Sequence, residues 1–323
     1  MIDWSAQRVI VTGGGGFLGK GVCATLRARG VTEDRLFVPR SKHYDLTDEA
    51  ACRRMYDEAF GSERASVVIH LAGEVGGIGA YRARPAEFFH RNLVMGAHVL
   101  EHARTSGVID AGGRYVLVGT ASSYPAEAEV PLKEEDFWRG YPDAGGAAYG
   151  LAKRALAGML RTYHQQHGLA CAHVLPINLY GPGDHFDSES AHVVPALVGR
   201  MVQAQERGEG LVCWGSGNAT REFLYVDDAA EAIVRAAERV EAPEEINIGP
   251  GRETSIRELV ETMGEVVGFE GSIEWDTTKP DGAPRRAVDV SRAQKLLGWS
   301  AAVDLKTGLA RTVADYRERR VSR

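Results

Sequence analysis

The sequence predicts an α/β protein with a doubly wound parallel sheet and a smaller mixed α/β domain. Its 323 residues, 44% of them hydrophobic, are enough for a nucleotide-binding domain that carries a partner domain. Short apolar runs alternate with longer amphipathic stretches through the first half, and a glycine-rich turn follows the first run. Such alternation is typical of parallel strands whose sheet is covered by helices on both faces.

Five apolar runs predict the strands in chain order. They are RVIVTG, RLFVPR, SVVIHLAG, RYVLVGT and AHVLPINLYG, and each of the first four precedes a helix-forming segment. Beyond the fifth run the pattern becomes mixed, with LVCWGSG and two amphipathic segments. These segments predict helices from about Val226 to Glu238 and from about Ile256 to Val267.

The change of pattern also predicts the domains. A dinucleotide-binding domain is expected over residues 1–178 plus about 218–248, and a substrate-binding domain over 179–217 plus about 249–323. The turn-rich segments YGPGDHFDSES and TTKPDGAPR are predicted loops. Because doubly wound proteins bind ligands beyond the carboxyl ends of their strands, we expect both loops to face the cofactor.

Composition excludes several classes of protein. A formal net charge of -6 gives no reason to expect nucleic acid as a partner. No basic stretch followed by an apolar segment opens the chain, and no run of 18 apolar residues occurs, so we expect a cytoplasmic protein without a membrane partner. The irregularly spaced cysteines predict reduced, mostly buried thiols and no metal site; they are Cys23, Cys52, Cys171 and Cys213.

A glycine-rich turn joins the first strand to its helix. Gly13, Gly16 and Gly19 form a G-x-x-G-x-x-G pattern, with Phe17 and Leu18 between the last two. Glycines allow a tight turn and let backbone N–H groups approach a pyrophosphate at the positive end of a helix. The strand before and the helix after the turn favour a dinucleotide site of the Rossmann type over a glycine turn without a ligand.

The end of the second strand predicts which dinucleotide binds. An NAD-preferring site is expected to place an acidic residue there for the ribose 2′-hydroxyl, whereas this chain has Arg40 and Lys42. Both cations suit a 2′-phosphate, so NADP(H) is favoured. A solvated pair at a strand end is the alternative, and NAD(H) stays possible. Asp45 and Leu46 follow at a position suited to the adenine.

A tyrosine and a lysine form the candidate catalytic pair. Tyr149 and Lys153 are four residues apart on a predicted helix, so their side chains point the same way. A neighbouring ammonium is expected to lower the pKa of the phenol, which can then exchange a proton with a carbonyl oxygen. The hydroxyl of Thr120, at the preceding strand end, can hydrogen-bond the same oxygen.

With these residues the chain resembles the extended short-chain dehydrogenase/reductase family, also called the NAD-dependent epimerase/dehydratase family. Its second half is especially similar to the GDP-L-fucose synthases, which are 3,5-epimerases and 4-reductases. The motifs that carry the resemblance are His70-Leu71-Ala72-Gly73, VGGIGA, Asn92-Leu93, the Tyr149/Lys153 pair, PINLYGPGD, His192 to Leu197, WGSG, REFLYVDD, NIGPG and KPDGAPR.

The resemblance implies roles for individual residues. It implies hydride transfer from NADPH to carbon 4 of a keto sugar, with Thr120, Tyr149 and Lys153 polarising and protonating the ketone and His192 as the acid in epimerisation. The cofactor would be bordered by Leu71, Ala72, Gly73, Pro176, Asn178 and Leu179. The nucleotide sugar, expected to be GDP-linked, would be held by Asn178, Arg200, Trp214, Arg221 and Asp281. A homodimer would form through helices near residues 86–104 and 147–167.

One departure from the fucose synthases concerns epimerisation. Where those enzymes have a cysteine before Tyr-Pro, this chain has Ser122. A thiol with a pKa of about 8.5 can be activated as a base, whereas an alcohol is a far poorer one. We therefore predict a 4-keto reductase in which epimerisation at carbons 3 and 5 is lost, weakened or carried out elsewhere.

Other interpretations stay open at this point. The nearest rival function is a sugar-nucleotide 4-epimerase or dehydratase that retains NAD, and one of another class is a non-catalytic NADP-binding regulator. Single residues have simpler explanations too: His192 as a packed or surface histidine, Trp214 as a core residue, and Arg200 and Arg221 as solvated side chains. We interpret His70 as structural.

Overall fold

A computed structural model describes residues 2–110, 112–186 and 192–321. The strands in chain order are β1 Val9–Thr12, β2 Leu36–Phe37, β3 Val67–His70, β4 Arg114–Val118, β5 Ala170–Pro176, β6 Leu179–Tyr180, β7 Leu211–Trp214, β8 Thr220–Arg221, β9 Leu224–Tyr225, β10 Glu245–Ile248, β11 Thr254–Ser255, β12 Ile273–Asp276 and β13 Arg285–Arg286. The α-helices are α1 Phe17–Ala28, α2 Glu49–Ala59, α3 Ile78–Ala83, α4 Pro85–Thr105, α5 Ala147–His167, α6 Val193–Arg207, α7 Val226–Arg239, α8 Ile256–Val267, α9 Ser291–Leu297 and α10 Leu305–Val321.

The central sheet is parallel, with the strand order β10-β5-β4-β3-β1-β2. Val9 of β1 is paired with Leu36 on one side and with Val67 on the other, so the direction of the winding reverses between β1 and β3. Ligands of such sheets bind at that reversal. The predicted doubly wound α/β fold is confirmed.

The fifth apolar run was predicted to be a single strand, and the structure divides it into two. It contains β5 and β6, and β6 leaves the central sheet to pair with β9. The sixth strand of the sheet is β10, within the segment that ends in the NIGPG motif, and it pairs with β5. The helices predicted near Val226 and Ile256 are present as α7 and α8.

Two hydrophobic cores lie under these elements. The first is formed by the central sheet and by apolar residues of α1, α2, α4, α5, α7 and α9. The second is formed by apolar residues of α6, α8 and α10 together with those of β7 and β9. The chain passes repeatedly between the cores: Ile177 belongs to the first and Tyr180 to the second, and Leu224 belongs to the first between two neighbours of the second. The predicted domain boundaries stay a prediction.

Side-chain hydrogen bonds to backbone nitrogens hold the start of α8 and the segment before α10. The Ser255 hydroxyl accepts a hydrogen bond from the Glu258 nitrogen at 3.0 Å and so caps α8. The Asp228 carboxylate in the first turn of α7 accepts from the nitrogens of Ala302 and Val303 at 3.1 and 2.9 Å, which ties down the segment before α10. In the described ranges no helix combines the length and the hydropathy needed to cross a membrane.

Candidate active site

The glycine-rich turn is packed too closely to admit side chains. Gly13 has a φ of 73°, and a β-carbon there would lie 2.8 Å from the Ala72 nitrogen. A β-carbon at Gly19 would lie 2.1 Å from the Gly13 carbonyl oxygen. The helix α1 begins directly after Gly16, so its free N–H groups face the turn. This cradle fits the pyrophosphate of a dinucleotide.

Arg40 lies across the same turn. A β-carbon at Gly15 would be 1.9 Å from Arg40 Nη1, so the guanidinium is placed against the glycine backbone. The guanidinium therefore lies next to the cofactor cradle, where it was predicted to bind a 2′-phosphate. Nearby, the Asp45 carboxylate accepts hydrogen bonds from the nitrogen and the hydroxyl of Thr47 at 3.0 and 2.7 Å. It shapes the turn that buries Leu46.

The segment after β3 forms the opposite wall of the cradle. The Leu71 nitrogen donates to the Thr12 carbonyl oxygen at 3.1 Å, and the Ala72 nitrogen donates to the Thr12 hydroxyl at 3.4 Å. The same hydroxyl lies 2.8 Å from His70 Nδ1. Burial holds the pKa of His70 well below its usual value, so the ring is neutral and joins β1 to β3. The structural interpretation of His70 agrees with these contacts.

Tyr149 and Lys153 are buried together on α5. Lys153 is 2% exposed and Tyr149 8%, and Lys153 Nζ lies 5.9 Å from the centroid of the Tyr149 ring. Lys153 Nζ donates to the Val118 carbonyl oxygen at 3.1 Å. Burial lowers the pKa of Lys153 to about 8, which leaves the side chain mostly cationic at neutral pH.

The pKa of Tyr149 moves in the direction opposite to the one expected. Burial raises it above its ordinary value, and the neighbouring Tyr81 phenol raises it further. The expected lowering by Lys153 is wrong for this structure, in which the ammonium is bonded to the carbonyl of Val118. Tyr149 therefore keeps its proton at neutral pH and can donate it.

The 3-10 turn Ala121–Ser123 holds the start of α5 against the end of β4. A β-carbon at Gly150 would lie 2.4 Å from the Ser122 carbonyl oxygen, and the Ser123 hydroxyl donates to the Gly150 carbonyl oxygen at 2.9 Å. The Thr120 hydroxyl accepts from the Ser122 nitrogen at 3.1 Å and caps the turn. Because Gly150 follows Tyr149, this docking brings the three predicted residues Thr120, Ser122 and Tyr149 to one place.

The end of β5 lies beside this turn. Strands β4 and β5 pair with Val118 opposite Val174, so the segment from Pro176 to Leu179 emerges at the same edge of the sheet as Thr120. The Asn178 side-chain amide donates to the Glu222 carbonyl oxygen at 2.8 Å, and the Asn178 carbonyl oxygen accepts from Leu224. These bonds fix the predicted nicotinamide-bordering segment.

Two arginines lie on adjacent strands, and one of them contacts the 3-10 turn Ala121–Ser123. Arg286 of β13 is paired with Arg221 of β8, and Arg286 Nη2 donates to the Ala121 carbonyl oxygen at 3.2 Å. Burial lowers the pKa of both guanidinium groups, and the Arg286 charge lowers that of Arg221 further. Such crowding of positive charge favours an anionic ligand. Arg286 was not predicted, although it directly follows the KPDGAPR motif.

The remaining predicted substrate residues lie on the surface of the smaller core. Trp214 is 69% exposed, so the core interpretation is wrong, and Lys279 Nζ lies 5.8 Å from its ring centroid. The Asp281 carboxylate accepts from the nitrogen and the hydroxyl of Ser216 at 2.6 and 2.9 Å. Arg200 is exposed and donates to the Val212 carbonyl oxygen.

The two predicted loops differ in what they face. Gly183 of the first lies near Phe17 at the glycine-rich turn, where its β-carbon would be 3.8 Å from the Phe17 ring. The rest of that loop includes residues 187–190, outside the described residues. The second loop contacts the WGSG segment through Asp281, and a β-carbon at Gly282 would lie 3.6 Å from Arg221 Nη2. It therefore faces the arginines and not the cofactor cradle.

His192 stands apart from the catalytic pair in the contacts of the described residues. It is exposed and occupies the N-cap position of α6 without a side-chain capping hydrogen bond, and its charge acts on the buried Asp184. Burial raises the pKa of the Asp184 carboxyl, whereas the charges of His192, His185 and Arg319 lower it. The predicted acid role of His192 stays a prediction.

The next groups to consider are the cysteine thiols and the side chains that could bind a metal ion. Each cysteine is unpaired and buried, as predicted. Burial raises the pKa of Cys52 and of Cys171 to about 12, and it also raises that of Cys23 and of Cys213. In the part of the chain that the structure describes, histidine, cysteine and carboxylate side chains form no group of three that could hold a metal ion.

Comparison with known proteins settles the family. The model of the NAD dependent epimerase/dehydratase family matches residues 9–249, which is more than half of the chain. The chain belongs to this family. The matched range includes the cradle, Arg40, the Tyr149/Lys153 pair and the end of β5, whereas Arg286 lies beyond it.

Relatives with assigned names cover nearly the full length. GDP-L-fucose synthase 1 of Arabidopsis thaliana is 38% identical over 317 residues, which is 98% of this chain and 94% of that protein. A GDP-L-fucose synthetase from Naegleria fowleri bound to NADP is 26% identical with a TM-score of 0.85, covering 98% and 96% of the two chains. A GDP-mannoheptose C4 reductase from Campylobacter jejuni with NADP bound is also 26% identical, with a TM-score of 0.85 over 97% and 99%.

The placement of Arg40 generates a test of cofactor preference. Arg40→Ala should weaken NADPH binding by about 10- to 100-fold, because one charge-assisted interaction with a phosphate is lost. NADH binding should change by less than about twofold, because it has no 2′-phosphate. Fluorescence titration of both cofactors measures the effects. Arg53→Ala is the matched control, an exposed arginine on α2. Equal weakening of NADPH and NADH would contradict the assignment.

The burial of Lys153 generates a prediction of pH dependence. Its pKa is lowered to about 8, so the ammonium is lost as the pH rises through that value. If the cation supports turnover, kcat should fall above about pH 8, while Tyr149 with its raised pKa stays protonated. Rates measured across this range test it. In Lys153→Arg the smaller remaining rate should stay flat, because a guanidinium does not titrate there. A wild-type kcat that is level up to about pH 9.5 argues against it.

Proposed function

We propose that this protein is an NADPH-dependent reductase of the 4-keto group of a GDP-linked deoxy or related hexose. The observation that carries the proposal is the buried Tyr149/Lys153 pair at the strand ends where the glycine-rich cradle opens. Full-length similarity to GDP-sugar enzymes, and to structures with NADP bound, supports the enzyme class and the cofactor predicted from the sequence.

The arrangement of side chains accounts for ketone reduction. Bound NADPH would supply the hydride that forms the new C–H bond at carbon 4, leaving NADP⁺. The Tyr149 hydroxyl donates its proton to the carbonyl oxygen, whose C=O π bond becomes an O–H bond. The Thr120 hydroxyl hydrogen-bonds the same substrate oxygen. The Lys153 ammonium, bonded to the Val118 carbonyl oxygen, keeps a positive charge beneath the Tyr149 ring.

The nucleotide part of the substrate is held by the smaller core. Arg221 and Arg286 together supply a cationic surface for the diphosphate, beside the turn that carries Thr120. The exposed Trp214 offers an aromatic face to the base. Arg200 and Asp281 are the other two residues proposed to bind the nucleotide sugar on this surface.

The proposal extends to the loss or weakening of epimerisation. Ser122 occupies the place where the fucose synthases have a cysteine, and an alcohol is a poor base. The four thiols of the chain are buried with raised pKa values, so each is held protonated away from a substrate.

We also propose that the protein is a cytoplasmic homodimer. The two long helices α4 and α5 lie side by side, with a β-carbon at Gly96 only 2.2 Å from a Leu156 methyl carbon, so they form one continuous surface for a second copy. Four unpaired, buried thiols favour a reducing compartment. Sedimentation of the purified protein tests the dimer.

Product identification tests the reductase. Incubated with NADPH and GDP-4-keto-6-deoxymannose, the wild type should oxidise NADPH and yield a 4-hydroxy sugar identified by NMR. Tyr149→Phe should lower kcat by about 100-fold or more and leave NADPH affinity within about twofold, because only the proton donor is removed. Purified protein that carries tightly bound NAD and consumes no NADPH would instead indicate the retained-NAD epimerase or dehydratase.

Deuterium incorporation tests the loss of epimerisation. With the 4-keto substrate in D₂O and without NADPH, wash-in at carbons 3 and 5 should be slow, because Ser122 cannot remove these protons efficiently. Ser122→Cys should accelerate the exchange by at least about 10-fold if the position is the one that matters. Rapid exchange in the wild type, or GDP-fucose as the main product, contradicts this part of the proposal.

A further inference from the structure

The ring of Tyr149 is covered by a second tyrosine. Tyr81 of α3 stacks on it with ring centroids 5.5 Å apart and an angle of 11° between the planes. This is a parallel stack within the range at which aromatic pairs attract. Nothing in the Tyr149 and Lys153 spacing predicts such a contact, because Tyr81 lies in the segment after VGGIGA, far along the chain.

Tyr81 is itself held from two sides. Its hydroxyl accepts a hydrogen bond from the Gly76 nitrogen at 3.2 Å. Its ring meets that of the fully buried Phe88 edge to face, at 4.8 Å and 75°. Phe88 belongs to α4, whose Asn92 binds both backbone groups of Glu74. The orientation of Tyr81 is therefore set by the packing of α4 and not by Tyr149.

We infer that Tyr81 is a positioning residue for proton transfer, which fixes the plane of the Tyr149 ring and so the direction of its hydroxyl. A phenol turns about two side-chain bonds, and a small displacement of a reacting group can cost about 100-fold in rate. The stack keeps water from that face of the ring. Burial and the Tyr81 phenol both raise the pKa of Tyr149, which keeps the proton available. The inference rests on the proposed reductase function.

Among the described residues, the titratable groups that act on Tyr149 come from two helices. Tyr81 is on α3 and Lys153 on α5, and the turn beside them carries the hydroxyls of Thr120, Ser122 and Ser123, the last of which is bonded to the Gly150 carbonyl oxygen. Lys153 is engaged by the Val118 carbonyl, so Tyr81 is the side chain that restrains the ring by stacking.

Steady-state kinetics of three variants test this role. Tyr81→Ala should lower kcat by about 10-fold or more with KM for the sugar nucleotide and Kd for NADPH within about twofold, since the ring acts on the chemical step. Tyr81→Phe keeps the stack and should recover kcat to within about threefold. The control is Phe269→Ala, because Phe269 is a half-buried aromatic residue that follows α8 and packs on the second core, away from the cleft beside Tyr81. It should leave all three constants unchanged. A wild-type-like kcat in Tyr81→Ala, or no recovery in Tyr81→Phe, overturns the inference.

Urea unfolding tests the stack without a substrate. Tyr81→Ala and Tyr149→Ala should each lower the free energy of unfolding. In the double variant the loss of this free energy should be clearly smaller than the sum of the two single losses. Additive losses overturn the inference. If the wild type does not oxidise NADPH with the keto sugar, the proposed function fails, and additivity in urea still decides whether Tyr81 restrains Tyr149.

Discussion

The contact between the first turn of α5 and the 3-10 turn after β4 determines the geometry of the whole site. Gly150 lies so close to the Ser122 carbonyl that a single added carbon would collide with it. This approach allows Tyr149 to reach the strand end and lets Lys153, one helical turn later, reach the Val118 carbonyl. A helix held even slightly farther out would separate the hydroxyl from any ligand on the sheet edge.

Positive charge is concentrated where anions are expected, although the chain carries a formal net charge of -6. Arg40 lies over the glycine-rich turn, Lys153 lies beneath the Tyr149 ring, and Arg286, paired with Arg221, contacts the 3-10 turn after β4. Burial lowers the pKa of Lys153, Arg221 and Arg286, because it removes water from their charged forms, while both guanidinium groups stay cationic at neutral pH. A bound phosphate would return the electrostatic stabilisation that burial removes, so occupancy by substrate and stability of the site are coupled.

The features that could be predicted from the sequence are those that depend on interactions between residues close together in the chain. The glycine turn, Arg40, the Tyr149/Lys153 spacing and the helices α7 and α8 depend on neighbours within one or two helical turns. The turn and both helices are present where they were predicted, whereas the roles of Arg40 and of the Tyr149/Lys153 pair stay predictions. The direction of the Tyr149 pKa shift was wrong because burial is set by the whole fold. Arg286 and Tyr81 were missed because each acts through a partner distant in the chain, Arg221 in one case and Tyr149 in the other. The strand β10 was likewise unpredicted, since only its pairing with β5 places it in the sheet.

The repeated passage of the chain between the two cores affects how the protein can form. Neither core is contributed by one continuous stretch: the first needs Trp299 near the end of the chain, and the second begins at Tyr180 and ends at Tyr316. During synthesis the first core therefore cannot complete its packing before most of the residues of the second core have emerged. A fragment cut near residue 178 would expose much of the surface that β10 and α7 cover. The two cores are thus inseparable as folding units.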